Sequence, residues 1–173
     1  MKPKKGFTIL EFIIIMAIMT TLSAVLVAIQ QSEEKKMALG RSAFQLFQKV
    51  REVQEMAMSS QTTDCGGNPS YSFGIYFDSV SSPESYLIFA DCNANGQKDS
   101  GDKEIKEISL EKGVEISSTS PTPLSIIFSP PNPTTFINGS SSGREAEIIF
   151  SLSSGGAARK KVKVNTAGRI QIE

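Results

Sequence analysis

Between residues 91 and 102 the chain reads Asp-Cys-Asn-Ala-Asn-Gly-Gln-Lys-Asp-Ser-Gly-Asp. Oxygen-bearing side chains fall at loop positions 1, 3, 5, 9 and 12, as Asp91, Asn93, Asn95, Asp99 and Asp102, with glycine at position 6. Alternate spacing turns successive side chains inward as a loop curls around one ion, and the glycine supplies the sharp bend. The backbone carbonyl of Gln97 falls at position 7, so the spacing is that of an EF-hand Ca²⁺ loop. Two features depart from it. Asp102 is one methylene shorter than the usual Glu, and the flanks read as strands rather than helices. With three carboxylates the expected dissociation constant is on the order of 10⁻⁴ to 10⁻³ M, as in extracellular modules, which suits a structural ion and not a sensor. The same Asn, Asp and Gly content also suits an ordinary polar turn, and both readings stay open.

A second cluster is basic: Arg159, Lys160, Lys161, Lys163 and Arg169. Lys161 and Lys163 alternate with Val162 and Val164, so they would share the solvent face of a strand, with Arg169 on the adjoining one. Such a stripe can contact phosphate, which makes nucleic acid a candidate partner; a solvated hairpin face is the plainer alternative. Nucleophilic chemistry has little to work with. The chain has no histidine, so Ser-His, Cys-His and His-metal sites are excluded, and neither a P-loop nor a dinucleotide fingerprint occurs. An enzyme is not expected.

The third stretch is Lys4-Lys5-Gly6-Phe7-Thr8-Ile9-Leu10-Glu11, which leads into an apolar run ending at Ile29. From Phe7 to Ile29 there are 23 residues, and Glu11 is their only charge. As a helix that is roughly 34 Å, enough to cross a hydrocarbon core of about 30 Å. A secretory signal would have a shorter apolar core followed by a small-residue cleavage site; here the small residue, Gly6, precedes the run. Cleavage there would remove three lysines and leave a new amine on Phe7. Glu11 among Leu10, Phe12 and Ile13 costs on the order of 2.5 to 3.5 kcal/mol on insertion scales, so it needs a cationic partner. The Phe7 amine, its own or that of a neighbouring copy, is the cation the segment could supply. A buried pair between staggered chains would set their register, as polar residues do in coiled coils.

On these residues, Lys-Lys-Gly6 and then Phe7-Thr8-Ile9-Leu10-Glu11-Phe12, the chain closely resembles the type IV prepilins and type II secretion pseudopilins. The resemblance implies cleavage after Gly6 by a prepilin peptidase, methylation of the Phe7 amine, and use of Glu11 in docking subunits into a helical filament. Within that family the C-terminal half, with Tyr71 to Asp78, Tyr86 to Asp91 and Gly168-Arg169-Ile170, looks like the minor pseudopilins of the GspH/FimT type. Some FimT-like members bind DNA through a basic region beginning at such a Gly-Arg. The acidic loop, for its part, looks more like the dockerin variant of the Ca²⁺ loop than a calmodulin hand.

The elements that must position these groups follow from periodicity. No proline occurs between residues 4 and 68, and Gly40 is the only glycine inside the helical stretch. Beyond a polar junction at Gln30 to Lys36, Met37, Ala43, Phe44, Phe47, Val50, Val53 and Ala57 recur at helical steps. One helix is therefore predicted from about Thr8 to about Ser59, with its amphipathic second half lying on a sheet. Strands are predicted around Tyr71–Phe77 and over Ser85–Ala90, Glu104–Leu110, Val114–Ser117, Leu124–Ser129, Glu145–Leu152, Lys160–Asn165 and Arg169–Ile172, as short antiparallel hairpins. The tract from Ser117 to Gly143 holds five of the eight prolines and reads as a surface loop interrupted by one strand.

The expected class is thus α+β and pilin-like: a leader over residues 1–6, a transmembrane helix over 7–29, its amphipathic continuation over 30–60 and a β-rich domain over 61–173. The lysines precede the membrane run, so the positive-inside rule places the C-terminal domain outside the cytoplasm, in a single-pass inner-membrane protein that leaves for a pilus or pseudopilus on assembly. That compartment permits a Cys65–Cys92 disulfide, two free thiols being the alternative. Loss of the leader lysines leaves a mature net charge of −3, so no globally cationic character points to nucleic acid. The expected function is a structural subunit, a minor pseudopilin or minor pilin, whose partners are the prepilin peptidase and other subunits. The rivals are a DNA-binding minor pilin for DNA uptake and a calcium-dependent, membrane-anchored binding protein.

Overall fold

A computed structural model describes residue 6 and residues 8–59, 61–131 and 134–173. Among these residues one helix, α1 (Ile9–Met58), precedes eleven strands. The chain divides into two compact units, residues 1–37 and 38–173, and the division falls inside α1. In the first unit every residue from Ile9 to Val27 is exposed. This stretch has a mean hydropathy of 2.4 and is long and apolar enough to cross a membrane.

The second unit is built on the remainder of α1. Leu39, Ala43, Leu46, Val50, Val53 and Ala57 are each no more than 3% exposed. Their steps of four and three residues keep them on one side of a helix, where they join a single hydrophobic cluster with residues from both main sheets. Two members of the predicted stripe are corrected: Met37 and Phe44 are 54% and 53% exposed and lie off the buried seam. The seam runs through Leu39 and Leu46 instead. Phe47 is half-buried, stacks on Phe44 with ring centroids 6.2 Å apart, and lies under the Arg51 guanidinium.

All strand pairings are antiparallel. A two-residue ribbon pairs β1 (Thr63–Asp64) with β2 (Pro69–Ser70). The five-stranded sheet has the order β5-β4-β3-β7-β8, from β3 (Phe73–Phe77), β4 (Ser85–Ala90), β5 (Lys103–Ser109), β7 (Leu124–Ser129) and β8 (Thr134–Ile137). The four-stranded sheet has the order β11-β10-β9-β6, from β6 (Val114–Ser120), β9 (Glu145–Leu152), β10 (Arg159–Asn165) and β11 (Ile170–Ile172). The tract at 117–143 needs correction. It holds the end of β6, all of β7 and also β8, because the β-branched and aromatic run Thr134–Ile137 pairs with β7.

The faces of the five-stranded sheet depart from simple alternation. Phe73, Ile75 and Phe77 point to the main cluster with Leu124, Ile126 and Phe128 opposite them, as period two requires. On the other face Phe89 and Ile127 are also fully buried, so that side is not simply solvated. Gly74 permits this. A Cβ there would stand 2.6 Å from Ile127 Cγ1, 2.9 Å from the Ile126 carbonyl oxygen and 3.0 Å from the Phe89 ring.

The seam yields a test. Leu46→Ala should cost about 2–5 kcal/mol through lost burial and a residual cavity, whereas Phe44→Ala should stay within about 0.5 kcal/mol. Urea unfolding of the detergent-solubilised chain, followed by tyrosine fluorescence, measures both; equal effects would contradict the seam.

Candidate functional site

Of the three candidate regions, the helix start is the simplest. Gly6 is exposed with no atom within 4 Å of where a Cβ would stand, and Phe7 lies outside the described residues. Thr8 Oγ1 accepts a hydrogen bond from the Glu11 amide at 3.2 Å, and the Thr8 carbonyl accepts one from the Phe12 amide at 3.2 Å. Thr8 is therefore the N-cap of α1, and Thr8-x-x-Glu11 has the spacing of a capping box. The sequence carried that signal, and it was missed. It puts Glu11 in the first turn, where the positive end of the helix favours a carboxylate. Further along the run, the Thr20 and Thr21 hydroxyls donate to the carbonyls of Ala17 and Ile18, three residues back. Those two hydroxyls need no outside partner, whereas the carboxylate of Glu11 still does.

The acidic loop leaves β4 at Ala90 and is held at its first residue. The Asp91 amide donates to the Ser72 carbonyl at 3.0 Å, and Ser70 Oγ donates to the Asp91 carbonyl at 2.6 Å. The Asp91 side chain is 2% exposed. Its Oδ2 accepts from the Gly96 amide at 2.9 Å, while Oδ1 is buried without a hydrogen-bond partner among the described residues. Burial pushes the Asp91 carboxyl up from the usual carboxylate range and the charge of Asp102 adds to this, while the amides of Gly96, Asn95 and Ala94 oppose it. Asp102 accepts from the amides of Cys92 and Asp99, at 3.0 and 2.8 Å. Asn93, Asn95 and Asp99 each accept from the amide two residues on. Asp99 Oδ2 also gathers the carboxamides of Asn93 and Asn95, at 2.6 and 2.7 Å. Bonds from Asn93 first, then the Gly101 amide, hold the Asp99 carboxyl low. Among the described residues no three carboxylates converge into a metal-holding group. Any cation here must therefore draw on amide and carbonyl oxygens as well.

The loop lies over the outer face of the five-stranded sheet. Lys98 Nζ sits 5.8 Å from the centre of the Phe89 ring, donates to the Asp99 carbonyl at 2.7 Å and stands 3.6 Å from Glu104. The Lys98 amide donates to Ser125 Oγ, and the Gly139 amide donates to the Gly96 carbonyl. Gly96 needs its positive φ of 75° and has no room for a side chain, since a Cβ would press to 3.2 Å from the Phe136 ring. Cys92 is bonded to Cys65, with Cα atoms 5.6 Å apart, which ties the loop to the segment after α1. Ser125, Asn138 and Gly139 were missed as anchors. The Asn138-Gly139 pair was their signal: Asn138 adopts a positive φ of 45° and bridges the Ser125 amide and the Pro123 carbonyl.

The basic group does not form one stripe. Arg159, Lys161 and Lys163 share a face of β10, whereas Lys160 stands opposite Phe150 on the other. Arg169 is corrected from the adjoining strand to the turn before it, where its amide bonds Asn165 Oδ1. Lys161 and Lys163 lie 3.3 and 3.6 Å from the carboxylate of Glu147, and Lys163 lies 3.2 Å from Glu173. Glu173 above all raises the Lys163 pKa.

Comparison with known proteins places this arrangement. The crystal structure of the type IV minor pilin FimU of Pseudomonas aeruginosa is similar, with a TM-score of 0.53 over 78% of this chain and 87% of that one, at 14% identity. At that identity the likeness speaks for the fold, α+β with an N-terminal apolar helix and antiparallel sheets. No curated protein matches the sequence. The family model for the type II transport protein GspH matches residues 45–168, from the buried half of α1 to the turn before β11. The match omits the N-terminal run, so the prepilin-like motif and the domain agree independently, and the chain belongs to the GspH family of structural minor pseudopilin and pilin subunits.

Proposed function

We propose that this subunit waits in the inner membrane on its N-terminal helix, with residues 38–173 in the periplasm. It is cut after Gly6 by a prepilin peptidase, methylated on the Phe7 amine and drawn into a pseudopilus or pilus beside other subunits. The observation that carries this reading is the stretch Ile9–Val27, apolar and exposed along its whole length, with one carboxylate placed in the first helical turn by the Thr8 cap. A surface of that kind is stable only in lipid or against other apolar helices. Glu11 then pairs with the Phe7 amine of a neighbour, and the apolar faces bundle around that pair. DNA binding draws less support. Lys161 and Lys163 are already paired with carboxylates, and Arg159, Lys160 and Arg169 are exposed but do not share one face.

Two substitutions separate processing from assembly. Gly6→Val should block maturation, because a β-branched side chain would crowd a peptidase site shaped around hydrogen; immunoblotting should then find only the longer precursor, and normal-sized mature protein would sink the cleavage claim. Glu11→Leu should be cleaved and held in membranes at least as well as the native chain, since the charge costing on the order of 2.5 to 3.5 kcal/mol is gone, yet it should be depleted from sheared filaments. Native incorporation would deny Glu11 any register role.

A further inference from the structure

We propose that residues 91–102 form a Ca²⁺ site that staples the loop to the outer face of the five-stranded sheet, a role apart from filament assembly. The polar turn alone does not require an ion, because its internal bonds would hold without one. The independent observation is the Asp91 carboxylate. It is 2% exposed, and its Oδ1 has no hydrogen-bond partner among the described residues while Oδ2 is engaged by the Gly96 amide. A buried carboxylate oxygen left unsatisfied is costly, and a hard cation is the ligand class that satisfies it without a proton.

The remaining donors match the ion in type. Asn93, Asn95 and Asp99 come within hydrogen-bond reach of one another through the Asp99 carboxylate. Asp102 and the Gln97 carbonyl lie in the same loop, so every donor that the spacing offers is an oxygen, as Ca²⁺ requires, with amide and carbonyl oxygens serving beside carboxylates that do not converge as a group of three. Mg²⁺ fits less well, because it demands near-ideal octahedral geometry and dehydrates reluctantly. The loop covers Phe89 and is anchored at Cys92, Gly96 and Lys98, so binding pins what closes the second buried face.

The test is thermal unfolding of the full-length chain in detergent, its disulfide intact, in EDTA, in CaCl₂ and in MgCl₂, with Ca²⁺ binding measured by calorimetry. The calorimetric heat should saturate with a dissociation constant of about 10⁻⁴ to 10⁻³ M, and the melting temperature should go on rising with the logarithm of Ca²⁺ concentration above that range. At a hundredfold excess over the dissociation constant the gain corresponds to about 2.7 kcal/mol, with Mg²⁺ giving much less. Asp91→Asn should abolish both the heat and the shift. Should that variant fold poorly, the exposed Asn95→Ala keeps the question open to test, because it should fold normally yet bind Ca²⁺ at least tenfold more weakly. A melting temperature and calorimetric trace indifferent to millimolar Ca²⁺, or an Asn95→Ala chain that responds like the native one, would overturn the site.

Discussion

A single helix in this chain has to satisfy two environments, and the rest of the fold depends on how α1 does so. From Ile9 to Val27 it offers apolar side chains on every side, a pattern stable in lipid or among like helices. From Leu39 to Ala57 the apolar residues narrow to one seam at steps of four and three, which buries completely against the sheets. No glycine or proline other than Gly40 interrupts the described helix, so nothing in its sequence forces a break where one pattern gives way to the other. Glu11 is the exception, and the proposed assembly turns on it. A carboxylate in the first turn of such a helix is partly compensated by the capped end, yet it remains the one charge that calls for a partner from outside the run.

The β-domain shows a second solution to burial. Its main core is the ordinary one, in which the inward faces of two antiparallel sheets and the helix seam share one cluster. Its other face is closed by a loop instead of a further layer of structure. That draws on a glycine at Gly74 that leaves room for Phe89 and Ile127, a left-handed glycine within the loop at Gly96, and anchors from the disulfide, Ser125 and Gly139. A loop pinned so closely over the buried Phe89 ring is part of the packing, and its acidic side chains are positioned by the same anchors.

Much of this was legible from residue types and periods. The helix predicted from about Thr8 to about Ser59 runs from Ile9 to Met58, and the strands Ser85–Ala90, Leu124–Ser129 and Glu145–Leu152 have the predicted bounds. The misreadings have physical causes. Phe44 fits the helical period but sits one step off the seam, and period alone cannot say which of two overlapping stripes a sheet will cover. The strand Thr134–Ile137 was hidden by the prolines around it, although its own residues are good strand formers. The scatter of the basic group was also out of reach, because Lys160 and Lys161 are adjacent in sequence and opposite in space. For the loop, spacing suggested the ligands, but the buried, unpaired oxygen of Asp91 could only be seen in three dimensions.

The central claim is that the apolar run of this subunit lies among the helices of other subunits. Cys65 and Cys92 are bonded to each other, so a cysteine introduced in the run by Ile13→Cys would be the only free thiol among the described residues. Treating intact filament-forming cells with a short thiol-to-amine or photoactivated cross-linker on that residue, and identifying the adducts by mass spectrometry, reads its neighbours directly. The account predicts adducts with pilin-family subunits or with a second copy of this chain in sheared filaments. A thiol that reacts with lipid-soluble reagents alone, and never joins a pilin-family subunit in cells that assemble filaments, would contradict it.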